Sequence, residues 1–333
     1  MRNKLLLLSS IIILFLTGCG SKQYYSPKHI NSSSSSLLSS NAIVNFNGDG
    51  ATLKNGNVLT KRGELKLNLK KSGYIFINKT RSGIVIANRD GKCKVLRNGK
   101  SQSIKFPKAL LAGTVIGNNL IYILRDNSFG IYDLSIKSII YNDKGEKVYS
   151  IDARVTNPLQ VDKLVVIPLL NGKITILDLK SKKIVKEIFV STQSSLNNII
   201  FLKKFKNSLI VATPHKVISI SNKGRREFED EISGVAMDNK YIFIFSKDGK
   251  ISKLDNSFTV QDEKKFRFAH FSVAVVYKDR VYALDKQGYL IVSNKNFTKY
   301  KVYDFPEVDG YSFVSGGKIY YDGNKIELRN LIY

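Results

Sequence analysis

Few residues of this chain are equipped for chemistry, and they do not gather. The 333 residues hold two cysteines, three histidines and no tryptophan. With Cys19 and Cys93 as the only thiols, a cysteine zinc site or a disulfide framework cannot be built once Cys19 has another use. Cys93 alternates with Val95 inside a strand pattern and reads as a small core hydrophobe. His215 falls at a turn between strand patterns, His270 beside Phe268 and Phe271, and His29 in a polar stretch near the N-terminus, a scatter unlike metal-ligand spacing. Strings for a zinc protease, a nucleophile elbow, a P-loop or a dinucleotide site are absent. Carboxylates are dense only in EFEDE at 227–231, which reads as an exposed acidic turn beside Arg225 and Arg226. No catalytic, cofactor-binding or metal-binding residue is assigned, and a protein that is not an enzyme is expected.

Cys19 does have a chemical context. Arg2 and Lys4 precede an apolar run at 5–16, and LTGC follows at 16–19. Twelve apolar residues are too few to cross a hydrocarbon core of about 30 Å as a helix, so the stretch reads as a signal peptide over 1–18. LTGC resembles the bacterial lipobox, and that resemblance implies cleavage between Gly18 and Cys19 with acylation of Cys19. Two acyl chains anchor stably where one does not, so the mature chain is expected to be held at a membrane without spanning it. Gly20 stands where similar lipoproteins kept at the inner membrane carry Asp. Delivery to the outer membrane, facing the periplasm, is therefore expected, with surface exposure the alternative. Residues 19–41, with SSSSS at 32–36, read as a flexible tether with a span of roughly 25 Å.

The formal charge is +26, and the leader accounts for only Arg2 and Lys4 of it. Such a balance favours anionic partners: acidic lipid, glycan or protein. Nucleic acid fits the charge but conflicts with a secretory address. The plainer reading is a lysine-rich chain with its charges spread over a solvated surface. Clustering of cations on one face would decide between the two.

The elements that must carry these residues are strands. In DKLVVIPLLNGKITILDLKSKKIVKEI, residues 162–188, two apolar or alternating runs flank Asn171-Gly172 and a third follows a turn at 181–183. Asn-Gly predicts a two-residue type I′ hairpin, which needs positive φ at both central residues. No helical periodicity is evident after the leader. The unit recurs with turn anchors at Gly91, Gly130, Gly172, His215, Gly249, Gly288 and Gly323, a period near 39 residues. That recurrence predicts an all-β propeller over 42–333, with a monomeric body expected. Seven anchors give seven blades. Eight is the alternative, with Arg62-Gly63 as the turn of a further hairpin. A strand from the N-terminal side is expected to complete the C-terminal blade and so remove two open sheet edges.

NGKITILDLKSKK and DGKISKLDNS resemble the PQQ-type propeller repeat, with Asp133, Asp178 and Asp255 at the end of a strand. A carboxylate there accepts backbone amides of the next turn, a structural role. The repeat's usual Trp is absent, and Tyr141, Phe189, Phe228, Phe266 and Tyr303 lie near its place. Quinoprotein dehydrogenases share the repeat, but the resemblance implies a Trp and a vicinal disulfide that this chain lacks. The signal type, tether and repeat period together resemble the BamB-type propeller lipoproteins of the outer-membrane β-barrel assembly machinery. That resemblance implies no cofactor and a protein–protein scaffold anchored to the membrane through Cys19. The alternative is a surface adhesin, or a binder of anionic envelope polymers.

Overall fold

The computed structural model describes residues 23–333 except Ser33 and Ser194. Residues 1–18, read above as a signal peptide, and Cys19 lie outside the described residues. Within them, the chain forms eight four-stranded antiparallel sheets, the blades of a propeller. In chain order blades 1 to 8 span 43–65, 75–105, 110–144, 159–189, 201–229, 232–265, 271–304 and 312–327. The count is eight and not the seven expected, and Arg62-Gly63 does lie in an additional hairpin. That blade was hidden because its strands, of three or four residues each, are too short to show a pattern. Its turn is at Gly56, φ +87, and one later anchor also moves. In blade 3 Gly130 is inside a strand, and Asn127, φ 64, is the turn residue.

Period-2 alternation explains why the middle strands are apolar on both faces. In the strand Asn119–Leu124, Leu120 and Tyr122 point to blade 2 while Ile121 and Ile123 point to blade 4. Each of the eight blade-to-blade junctions has its own apolar cluster, so the core is a ring of interfaces. Cys93 belongs to the cluster between blades 2 and 3. It is fully buried, and burial pushes its thiol up to about 12, which leaves it inert.

The ring closes through the N-terminal segment. Leu37–Ser39 pairs antiparallel with Asn324–Glu327 and becomes the outermost strand of blade 8. The strand that completes the C-terminal blade thus comes from within 19–41. The stretch read as tether is fastened well before residue 41: Asn31 bridges to Tyr303, and Tyr25 packs edge-on against Phe266 and Tyr289. From the other end, Tyr282 Oη donates to Leu328 O at 2.9 Å, and Tyr303 Oη to Ile332 O at 2.6 Å.

The turn at Asn171-Gly172 is not type I′. Four residues, 169–172, link the strands, and only Gly172 has positive φ, +82. Its carbonyl accepts Val190 N–H at 2.8 Å, which ties the turn to the end of the outer strand. Gly249 repeats the arrangement with Phe266 at 2.8 Å. The type I′ geometry does form at Asp322-Gly323, where both φ values are positive.

Candidate docking face

An antiparallel meander sends its first and third turns to one face of the ring and its second turn, with the link to the next blade, to the other. These are called here the hairpin face and the connector face. The turns of the hairpin face carry exposed cations on blade after blade: Arg62, Arg81, Lys137, Lys163, Lys183 and Lys206 on blades 1 to 5. Lys223, Lys240, Lys278 and Lys299 continue the series over blades 5 to 7, and Lys318, partly exposed, follows the first turn of blade 8.

Several carboxylates of this face cap local turns, while Asp162 and Asp279 are exposed and meet Lys204 at 3.9 Å and Arg280 at 3.8 Å. Asp133 accepts Ser135 N–H at 2.8 Å, Asp178 accepts Ser181 N–H at 2.7 Å, and Asp255 accepts Ser257 N–H at 2.8 Å. The three strand-ending aspartates therefore have the capping role read from the sequence. A bond from the Ser135 hydroxyl leads the effects that hold the Asp133 carboxyl below the usual range, and the Ser181 backbone N–H leads at Asp178. Asp238 caps the turn at Tyr241 N–H, 2.7 Å, and also meets Lys295 at 2.6 Å.

On the connector face, charge is paired in the sector at blades 5 and 6, while Arg89, Arg125, Arg267 and Lys286 are exposed. The acidic run at 227–231 is not a free turn. Glu227 and Glu229 meet Lys216 at 2.8 and 2.6 Å, Asp230 meets Lys250 at 2.8 Å, and Glu231 meets both Lys247 at 2.7 Å and His215 Nδ1 at 2.9 Å. His270, exposed, donates its backbone N–H to Asp285 at 2.5 Å. His29 is exposed on the N-terminal segment. Among the described residues no three His, Cys, Asp or Glu side chains come together as a metal site.

The interior of the ring is crossed by the connection between blades 3 and 4, residues 145–158, which the sequence reading did not single out. Val155 O accepts Gly48 N–H of blade 1 at 2.8 Å. Asn157 Nδ2 donates to Asp49 of blade 1 at 2.8 Å and Ile77 O of blade 2 at 3.1 Å, while its Oδ1 accepts Gly113 N–H of blade 3 at 2.8 Å. On the opposite side, the Arg154 guanidinium donates to Ser233 O on the inner strand of blade 6. Contacts with blades 1, 2 and 6 require the segment to run through the middle of the ring. A signal did exist: the anchors either side of Gly172 are the most widely spaced, and the surplus residues lie in 145–158 and 190–200. Lys61 also lies inward. Its ammonium sits 4.3 Å from the Phe313 ring centre.

Arg154 is held by Asp152, whose Oδ1 accepts Nε at 2.8 Å. Burial opposes ionisation of Asp152, but the hydrogen bonds and charge of Arg154 outweigh it and leave the carboxyl below its ordinary range. Arg154→Ala is expected to destabilise the fold by about 1–3 kcal/mol at pH 7, because it strands a largely buried carboxylate. A depressed folded pKa contributes stability above the unfolded value, near 4, that is lost as pH falls through the folded value. The gap between wild type and variant should therefore narrow below pH about 4 in urea titrations. A gap that does not change with pH would remove Asp152 from the explanation.

Residues 145–158 fill part of the interior, and the inner strands of blades 6 and 7 stay partly exposed. The hairpin face is distinguished by a cation that recurs on every blade.

No family model matches the chain. Plasminogen-binding protein PgbB from two strains of Helicobacter pylori is 24% identical over 377 aligned positions, which cover 97% of this chain and 70% or 69% of the relative. Among solved structures, BamB from Moraxella catarrhalis superposes with a TM-score of 0.64 at 16% identity, covering 89% of this chain and 98% of that one. The C-terminal WD40 domain of Sif2 does so with a TM-score of 0.64 at 12% identity, covering 92% and 98%. These likenesses establish the propeller fold, and the PgbB relatives are binding proteins by name.

Proposed function

We propose that this protein is a non-catalytic binding propeller of the cell envelope, anchored through acylated Cys19, whose hairpin face docks a protein partner presenting acidic surface. The observation that carries the proposal is the cation on every blade of that face, beside carboxylates already engaged in capping turns. A rigid ring with many short loops on one face suits docking, and complementary charge speeds encounter and sets specificity. Plasminogen, which the PgbB relatives bind by name, is the first partner to test. That reading needs the body to face outward from the cell. The scaffold role in β-barrel assembly expected from the sequence uses the same kind of docking and would place the body in the periplasm.

The test is binding of plasminogen to the immobilised chain at rising salt, beside the triple variant Lys163→Glu, Lys206→Glu, Lys223→Glu. Binding should fall steeply as salt shortens screening to about 8 Å at physiological ionic strength, and by about tenfold or more in the variant. Binding indifferent to both would exclude the hairpin face. Crosslinking in intact cells separates the roles: capture of barrel-assembly components, with outer-membrane proteins depleted in a deletion strain, would move the protein to the periplasmic scaffold.

A further inference from the structure

The fastened N-terminal segment fixes which way the ring faces. We propose that the propeller meets the membrane with the connector-side edge of blades 6 and 7, so that the hairpin face points away from the lipid. The inference rests on the acylation of Cys19 proposed above. It rests equally on where the chain leaves the body.

Tyr25 is the first described residue seated in the core. It packs at 6.1 Å from the ring of Phe266 and 5.9 Å from that of Tyr289, in the groove between blades 6 and 7. Both residues lie at connector-side ends. Phe266 follows the outer strand of blade 6, and its N–H reaches the turn carbonyl of Gly249. Tyr289 opens the strand that follows the Lys286–Gly288 turn of blade 7. Burial leads the effects that raise the Tyr25 hydroxyl well above its usual range, and the charge of Asp285, at the connector end of its strand, adds to it. Beyond Tyr25 the segment follows the rim: Asn31 N donates to Val302 O at 2.8 Å, and Leu37–Ser39 joins blade 8.

Five residues lie between Cys19 and Tyr25, and the six Cα-to-Cα steps, fully extended, reach at most about 21 Å. The stretch from Cys19 to the body is therefore much shorter than the 22 residues read from the sequence. An anchor that short holds the connector-side edge near the lipid, and exposed Arg267 and Lys286 are the side chains brought to the headgroups. The hairpin face, with Lys223 on its outer part, is turned to whatever lies beyond.

The test uses the full acylated chain in phospholipid vesicles, with a fluorophore on Arg267→Cys or on Lys223→Cys and a nitroxide quencher on the lipid headgroups. Cys93 is buried and stays unlabelled. Strong quenching at position 267 and little at 223 is expected, and Tyr25→Ala should lessen the difference by lengthening the free tether. Equal or reversed quenching on vesicle-bound protein would overturn the orientation while leaving the anchor intact. Failure of the wild-type chain to bind vesicles better than Cys19→Ala would overturn both.

Discussion

Gly249→Val is expected to unfold the protein or cost it about 3–5 kcal/mol, the largest single-residue effect anticipated here. Two independent penalties combine. The residue sits at φ +81, where a β-branched side chain is strained. A Cβ at that position would also stand 2.1 Å from Phe266 O and 3.0 Å from Ala269 O, both backbone atoms that cannot swing aside. To relieve the clash, the outer strand of blade 6 must part from the turn, and Phe266 leaves the cluster shared with blade 7. Gly172→Val should behave alike, since its Cβ would meet Ser191 O at 2.6 Å. Gly224→Val is the control. Its φ is +109, but nothing lies within 4 Å of its Cβ, so only the backbone term of roughly 1–3 kcal/mol remains. Equal urea midpoints for the 249 and 224 variants would refute the packing part of the explanation.

Removing residues 23–39 should have the second-largest effect. A chain beginning at residue 40 loses the pairing of Leu37, Leu38 and Ser39 with blade 8, the Asn31 bridge to blade 7, and the burial of Tyr25. At about 1 kcal/mol for each net hydrogen bond and a further 1–2 for the partly buried ring, the loss is about 3–5 kcal/mol. It also uncovers the backbone edge of Asn324–Glu327, which invites pairing between molecules. Compared with a chain beginning at residue 23, the shorter one should unfold at a lower urea midpoint and self-associate on a sizing column. Coincident midpoints would mean that the N-terminal strand contributes nothing to ring closure.

The docking face and the chain closure differ in how legible they were. Residue identities alone placed Asp133, Asp178 and Asp255 as turn caps, because an aspartate bonding the amides two and three residues ahead needs only local geometry. Cys93 was legible as core for the same local reason, its alternation with Val95. Blade 1 was not, since strands of three residues give no readable period. Neither was the strand Leu37–Ser39, whose partner is almost the whole chain away and whose serine-rich surroundings imitate a linker.

By itself, the sequence determined the all-β propeller, the turn-to-turn period and the strong positive charge, all of which follow from composition and spacing. It also contains the lipobox-like string at Cys19, which lies outside the described residues. Only the tertiary structure decided that there are eight blades, that residues 145–158 cross the interior, and that the acidic run at 227–231 is paired with lysines and His215. Those outcomes depend on which residues from distant blades share a face or a hydrogen bond, and alternation within one strand carries no information about the register between blades.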